Sequence, residues 1–442
     1  MTLKMISLVA IPVLLVSMTS QAVTVEQLNR QVQRMNQRIS EQDQRFRVNG
    51  FASFGLSVAN EEMAYNGVND EVNFSRFSKV GIQMTFNMDQ ENSVVMQLVS
   101  RGDNEWDTSA EWAYFKHEFG DGFSGKIGRI RLPAYQLSEF LDVGYAVPYA
   151  QNPAETYDSL DPFANLNGLD LSYSMDVGDN TATFQFTYGR SKDDEFDLKN
   201  IIAAIGVFQA DTWSTRLAYA TASVSVLSPS LSGAIGLYGG SLTDIDGTFT
   251  SLGVNYDPGD IYFTSEFTQL KADGEIVDAD ALYVTLGYRF GRLLPTITFA
   301  TAESQDNDER DISQLTTANA GAIDLATAVG IQSAGGTLTA TQTALLAATN
   351  ATQQAEAVAG APLIVGGIET LKAASNRNTQ RIGLGLRYDM SPGTALKIQY
   401  DLITVDDESG LFDDTAWATN AATGGSNPDA TNVLTITIDT VF

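Results

Sequence analysis

Residues 381–402, RIGLGLRYDMSPGTALKIQYDL, alternate between apolar and polar side chains on both sides of Pro392-Gly393. In a β-strand, successive side chains point to opposite faces, so a period of two gives one apolar face and one polar face. Proline and glycine favour a tight turn. This stretch therefore predicts a β-hairpin with one apolar and one polar face.

The same alternation recurs along the chain, for example in residues 80–87 and 434–442. Most of the candidate strands contain about 10–12 residues, which is the length a tilted strand needs to cross a bilayer. The sequence predicts sixteen of them, at residues 47–59, 75–88, 92–101, 109–119, 124–131, 167–176, 181–190, 212–223, 231–241, 248–257, 260–271, 280–290, 293–303, 379–390, 393–405 and 431–442.

The predicted connections differ in length in a regular way. Tight turns such as Gly178-Asp179-Asn180 and Gly291-Arg292 alternate with long segments at 132–166, 191–211, 304–378 and 406–430. A β-sandwich also has alternating strands, but short turns on one side and long loops on the other are typical of an outer-membrane barrel. In lipid, only closure satisfies every backbone group of a sheet. The fold class is therefore predicted to be all-β, a transmembrane antiparallel β-barrel of about sixteen strands with an aqueous lumen.

Composition removes several functional classes. The chain has 26 Lys and Arg against 54 Asp and Glu, a net charge of −28, with one His and no Cys. So acidic a chain repels nucleic acid, and without cysteine it has no disulfides, thiol nucleophile or cysteine metal site. We expect no enzymatic activity, no metal and no cofactor. A barrel enzyme would need a serine paired with His117, and no neighbouring pattern offers one.

The N-terminus has the pattern of an export signal. Lys4 precedes the apolar residues 5–18, and Ser20-Gln21-Ala22 supplies small residues before a cleavage point. Residues 1–22 are therefore predicted to be a signal peptide.

Residues 23–46 carry a heptad pattern. Apolar residues recur at spacings of three and four, which predicts a short periplasmic helix able to form a coiled coil. This seam consists of Val25, Leu28, Val32, Met35, Ile39 and Phe46, with Gln42 as a polar interruption. The alternative is a single amphipathic helix lying on its own protein. The barrel itself is predicted to occupy residues 47–442.

Several local stretches resemble Gram-negative trimeric porins: Ser78-Lys79-Val80-Gly81, Ala113-Tyr114-Phe115, Gly128-Arg129-Ile130-Arg131 and the C-terminal Phe442. The resemblance covers about residues 47–442. It implies a homotrimer in the outer membrane, in contact with lipid and lipopolysaccharide. It also implies that Phe442 is a recognition signal for the outer-membrane insertion machinery, and that small hydrophilic solutes pass through the lumen.

The resemblance further implies that the long loop 132–166, which is the third loop at its end of the barrel, bends into the lumen and faces a basic wall. The acidic residues of that loop are Glu139, Asp142, Glu155, Asp158 and Asp161. Alternation predicts that Lys79 points inward, as do Arg381 and Arg387. Arg129 and Arg131 would point inward if Ile130 faced lipid, and Lys126, of opposite parity, would then not. The predicted constriction consists of Lys79, Arg129, Arg131, Glu139 and Asp142, with Arg381 and Arg387 as further basic residues of the lumen.

The resulting functional prediction is a passive diffusion channel for small hydrophilic solutes and ions. One alternative is a substrate-specific channel for small organic acids or oligosaccharides on the same barrel. Another is a surface adhesin built as a β-sandwich. The acidic total favours a mild cation preference at the mouth of the channel, whereas inward Arg and Lys oppose strong selectivity. The long extracellular loop 304–378 is expected to have some local fold, because structureless loops of this length are uncommon.

Overall fold

The computed structural model describes residues 45–157, 164–227, 242–273, 278–305, 320–360, 377–405, 411–413, 416 and 427–442. The predicted signal peptide lies outside these residues. So do five residues of the predicted heptad seam, Val25, Leu28, Val32, Met35 and Ile39, and two acidic residues of the third loop, Asp158 and Asp161. Residues 47–442 form one compact unit.

Sixteen antiparallel strands form a closed barrel in which each strand pairs with its neighbours in sequence and β1 pairs with β16. The predicted fold class is confirmed, and the β-sandwich alternative is wrong. The strands are β1 Phe46–Ala59, β2 Lys79–Asn87, β3 Asn92–Arg101, β4 Thr108–Gly120, β5 Phe123–Arg131, β6 Asn165–Val177, β7 Asn180–Lys192, β8 Phe196–Gln209, β9 Trp213–Val226, β10 Ile245–Tyr256, β11 Ile261–Ala272, β12 Asp278–Tyr288, β13 Leu293–Gln305, β14 Thr379–Ser391, β15 Thr394–Val405 and β16 Ala430–Val441.

The two faces of the sheet differ as the alternation predicts. Where β1 meets β16, Phe54 lies opposite Ile438, and both side chains are exposed on the outer face. The adjacent pair Ser53 and Asp439 is buried on the inner face and joined by a hydrogen bond of 2.5 Å. The outer face is thus an apolar surface suited to lipid, and the inner face carries polar groups.

The connections differ between the two ends of the barrel, as in outer-membrane barrels. One end has only tight turns, at 88–91, 121–122, 178–179, 210–212, 257–260, 289–292 and 392–393. The other end carries all the long connections, at 60–78, 132–164, 227–244, 306–378 and 406–429, and also three short ones, at 102–107, 193–195 and 273–277.

Three short helices lie in the long connections: α1 Ala154–Tyr157, α2 Ala320–Ser333 and α3 Ala340–Ala348. Residues 351–360 are also helical. Among the described residues, no helix is both long enough and apolar enough to span a membrane.

Strand β8 corrects the sequence analysis, which predicted a loop at 191–211 and a strand at 231–241. The predicted strand lies within residues 228–241, outside the described residues, and the barrel closes with β8 in its place. Strand β8 lacks the two-residue period because both its faces are apolar: Ile201 and Ile205 are buried inside the barrel, while Ile202 is exposed outside. A register shift between Lys199 and Ile202 further disturbs the alternation.

Phe46 also corrects the sequence analysis, which assigned it to the heptad seam. It is the first residue of β1, so the strand begins one residue before the predicted barrel. Residues 46–49, at the start of this strand, are all exposed.

Candidate functional site

The third loop enters the barrel and is hydrogen-bonded to its inner wall. On the β11–β12 side, the backbone N–H of Gln136 donates to the Glu266 carboxylate at 2.7 Å, and the Tyr157 hydroxyl donates to its other oxygen at 2.6 Å. The Tyr149 hydroxyl donates to the Thr285 hydroxyl at 2.8 Å. Since these strands lie far from β5 in the barrel, the loop must cross the lumen.

A second set of contacts fixes the loop to strands β14–β16. The Lys397 ammonium donates to the carbonyl of Tyr149 at 2.8 Å and lies 3.0 Å from the carboxylate of Asp439. Arg387 donates to the carbonyls of Tyr145 and Val147 at 2.7 and 3.0 Å.

Helix α1 is attached to the same wall by a buried ion pair. Nη2 of Arg381 lies 3.1 Å from Oε2 of Glu155, and Nη1 lies 3.7 Å from Oδ2 of Asp401. The loop is therefore held on two sides of the barrel by groups that have little contact with water.

Apolar packing fills the space between the loop and strands β8–β13. Tyr135 contacts Phe249 and Tyr157 with ring-centre distances of 5.0 and 5.1 Å. Around them lie buried apolar side chains of the inner wall, including Ile201 and Ile205 of β8. This part of the lumen is a dry core, so an aqueous path would have to run between the loop and the opposite wall.

On that opposite wall, four charged side chains surround Asp142 of the loop, which makes a cluster of five. Arg101 lies 2.6 Å from Glu111 and 2.8 Å from Asp142. Arg131 lies 2.5 Å from Asp142 and 3.7 Å from Glu111, and the Lys79 ammonium lies 3.7 Å from Asp142. We call Lys79, Arg101, Glu111, Arg131 and Asp142 the charged cluster.

The charged cluster sets the ionisation of Asp142. Burial by itself would raise the pKa of this carboxyl, because it disfavours the charged form. The neighbouring charges of Lys79, Arg101 and Arg131 outweigh burial and hold the pKa well below its ordinary value. Asp142 is therefore a permanent anion across the physiological range.

Two cavities adjoin the charged cluster, and Arg131 lines both. The larger has a volume of about 580 Å³ and opens among the long connections, where Arg76 and Asn66 contribute to its lining. The smaller, of about 150 Å³, is lined by Tyr114, Lys126, Glu139 and Asp170, among others. Lys126, Tyr114 and Asp170 lie further from the long-loop end of their strands than Arg131 does. Together the cavities outline a candidate passage along the β2–β7 wall.

The structure brings together three of the five residues predicted for the constriction: Lys79, Arg131 and Asp142. Glu139 lines the smaller cavity. Arg129 lines the larger cavity but makes no ion pair with the described residues. Arg381 and Arg387 bind the loop at the opposite wall, as described above.

The premise used for β5 is wrong. Ile130 does not face lipid: it is 2% exposed and packs with the buried residues of the loop. Ile127, which is 61% exposed, is the lipid-facing isoleucine, so alternation from it places Lys126 inside. The Lys126 ammonium indeed lies 3.9 Å from Asp170 and 5.6 Å from the centre of the Tyr114 ring. Arg131 reaches the lumen because it is the last residue of its strand, where the chain turns into the loop.

Arg101 and Glu111 were also missed by the sequence analysis. Alternation along β3 places Arg101 on the same face as the buried residues Gln97 and Val99, and this signal was available. Glu111 was not predictable in this way, because the register shifts at this point between β3 and β4, so that simple alternation fails there.

Phe442 lies at the seam where the barrel closes. Its backbone N–H donates to the carbonyl of Gly50 at 2.9 Å, and Gly50 N–H donates back at 2.7 Å. A side chain at residue 50 would collide with the Phe442 ring, since an added Cβ would lie 2.3 Å from it. Its role as an insertion signal stays a prediction.

Within the described ranges, no group of three His, Asp or Glu side chains could hold a metal ion.

Comparison with known proteins shows the fold. No protein-family model matches the chain, and neither does any curated protein sequence. Among the similar solved structures are three that each align over 90% of this chain. The anion-selective porin of Comamonas acidovorans is 12% identical, with 99% of its chain covered and a TM-score of 0.52. OmpT of Vibrio cholerae in its trimer form is 8% identical, with 99% covered and a TM-score of 0.51. OmpF of Salmonella typhi, in complex with daunomycin, is 11% identical, with 97% covered and a TM-score of 0.51. The chain thus has the fold of an outer-membrane porin barrel.

Proposed function

We propose that this protein is an outer-membrane porin through which small hydrophilic solutes and ions diffuse passively. The observation that carries the proposal is the third loop, which crosses the barrel and leaves charge-lined cavities along one wall. A sixteen-stranded barrel is too wide to be filled by its wall side chains alone. Here the loop fills one part of the lumen with apolar and hydrogen-bonded contacts, and the remaining part is polar.

The charged cluster is proposed to be the constriction. Cations of the wall are paired there with a carboxylate of the loop, and the partly exposed cations create a local field in the adjoining aqueous space. Such a field is only partly screened by salt at these distances. It would favour small polar solutes over apolar ones of the same size, as charged rings do in other channels.

The protein is further proposed to act as a homotrimer. The trimer form of the V. cholerae barrel and the heptad pattern of residues 23–45 support this assembly. Lipid and lipopolysaccharide would cover the remaining outer face, and the insertion machinery would recognise Phe442.

Swelling of proteoliposomes in neutral sugars of increasing size tests the proposed function. We expect the swelling rate to fall steeply with solute size and to rise in proportion to solute concentration, because passive diffusion does not saturate. Liposomes without protein are the control. Saturation, with block by one solute class, would instead indicate a substrate-specific channel. Rates equal to those of empty liposomes would contradict the proposal.

A further inference from the structure

We propose that the passage selects small anions, because most of its exposed charged groups are cations, several of which cover buried carboxylates. This inference rests on the proposed function, since it requires solutes to cross the barrel beside the charged cluster. It concerns which charge a solute meets, and not merely how many charges line the wall.

The charged cluster exposes its cations more than its anions. The side chain of Arg101 is 29% exposed, whereas that of its partner Glu111 is 5% exposed. The Lys79 side chain is 23% exposed against 8% for Asp142. A solute beside the charged cluster therefore approaches the guanidinium and ammonium groups first, with Glu111 and Asp142 behind them. Elsewhere the larger cavity is lined by two carboxylates in contact with solvent, Asp103 and Asp193, and by three more cations, Arg76, Arg129 and Lys192.

A third cation, Lys126, continues this arrangement in the smaller cavity, where Glu139 is an exposed carboxylate of the lining. The Lys126 side chain is 23% exposed, whereas Asp170 beside it is 2% exposed. Asp170 also accepts hydrogen bonds from Gln185 at 2.7 Å and Thr187 at 2.6 Å, which bind it to the wall. Its charge is therefore turned away from the open space, and that of Lys126 is left facing it.

The two positions are connected by Arg131, which lines both cavities. An anion leaving Arg101 and Lys79 would next meet Lys126, without passing an exposed carboxylate of these pairs. Several weak sites in succession permit both entry and release, which a conducting pathway needs. The net charge of −28 does not contradict this, because charges beyond a Debye length of about 8–10 Å are largely screened in physiological salt.

The greater exposure of the cation is not found in every ion pair of the chain. Lys199 of β8 and Asp244 form a pair at 2.8 Å in which the carboxylate is the more exposed partner, at 60% against 40%. Lys199 is therefore a matched control for Lys126: it is also a lysine paired with a carboxylate, but it lies on a different strand and lines neither cavity.

The test is the reversal potential of purified protein in a planar bilayer under a KCl gradient, for wild type, Lys126→Gln, Lys126→Arg and Lys199→Gln. Wild type should favour chloride over potassium. A unit charge about 6 Å from an ion in a water-like medium changes the occupancy of that ion about threefold, in opposite directions for chloride and potassium. Lys126→Gln should therefore lower the chloride/potassium permeability ratio by up to about tenfold at low salt, and by less where salt screens the charge. Lys126→Arg and Lys199→Gln should retain the wild-type ratio. Heat-modifiable gel mobility verifies that each variant is folded.

A conducting but cation-selective wild type would overturn the inference while leaving the proposed channel function intact. Equal ratios for Lys126→Gln and Lys199→Gln in folded protein would also overturn it, because Lys126 would then lie outside the path. Absence of conductance in every variant would overturn the proposed function itself.

Discussion

Removing the charge of Arg381 should loosen the third loop without disrupting the barrel. Its side chain is 2% exposed and lies between two carboxylates, Glu155 of α1 and Asp401 of β15, which are 0% and 1% exposed. Arg381→Met keeps most of the volume but leaves both carboxylates buried without their cation. Breaking a buried ion pair in this way costs about 3–5 kcal/mol.

That cost predicts the size of the effect on the loop. Because each 1.4 kcal/mol is a factor of ten, docking of α1 on the wall should weaken by about a hundredfold to a few thousandfold. The hydrogen bond from Lys397 to the Tyr149 carbonyl remains, as do those from Gln136 and Tyr157 to Glu266. Release should therefore be local to the start of α1, around Glu155. In planar bilayers, we expect more open-channel current noise and brief excursions to higher conductance.

Arg190→Met is the matched control for Arg381→Met. Arg190 is also paired with a carboxylate, Asp197, at 2.6 Å, but its side chain is 54% exposed. Solvent screens such pairs, so their loss changes stability little. Noise and thermal unfolding that are the same in the two variants would refute the role assigned to the Arg381 pair.

Three further predictions concern the cluster and the assembly. Arg131→Ala should change single-channel conductance and ion selectivity, whereas Arg289→Ala, which breaks a pair with Asp257 at the short-turn end and lines neither cavity, should change them much less; equal effects in bilayer recordings would contradict the assignment. The lowered pKa of Asp142 means that its charge, and the stabilisation it gives, is fully present above its ordinary value of 3.8 and is lost only as pH falls through the lower folded-state value. The difference in reversal potential between wild type and Asp142→Asn should therefore stay constant from pH 7 to about pH 4, and a difference that has fallen by about 40% at pH 4 would show a carboxyl with its ordinary pKa. Deletion of residues 23–45 should leave trimers that dissociate at lower temperature on gels, whereas monomers with intact barrels would show that this segment alone holds the assembly.

The closed barrel could be predicted from the sequence because its evidence is repeated in almost every strand. Outward apolar and inward polar residues recur with a period of two, and all the long connections lie at one end of the barrel. Strand β8 was not predicted because its inner face packs against the loop. Residues such as Ile201 and Ile205 are therefore apolar on the side that is polar in most other strands. A tertiary contact thus removed the local signal.

The candidate constriction could be predicted only in part, for a related reason. Lys79 follows a regular alternation, and its position beside Asp142 agrees with it. Lys126 was excluded because Ile130 is apolar for contact with the loop and not for contact with lipid. Which isoleucine of a strand faces lipid depends on where the loop lies, and no local pattern contains that information.

Single-channel recording of the purified wild-type protein tests the central claim most directly. If the space between the third loop and the β2–β7 wall is an open aqueous passage, insertion into a planar bilayer should produce stepwise increases in current. The height of each step should rise with KCl concentration. Folded, heat-modifiable protein that inserts without conducting would contradict the claim, because the third loop would then close the lumen completely.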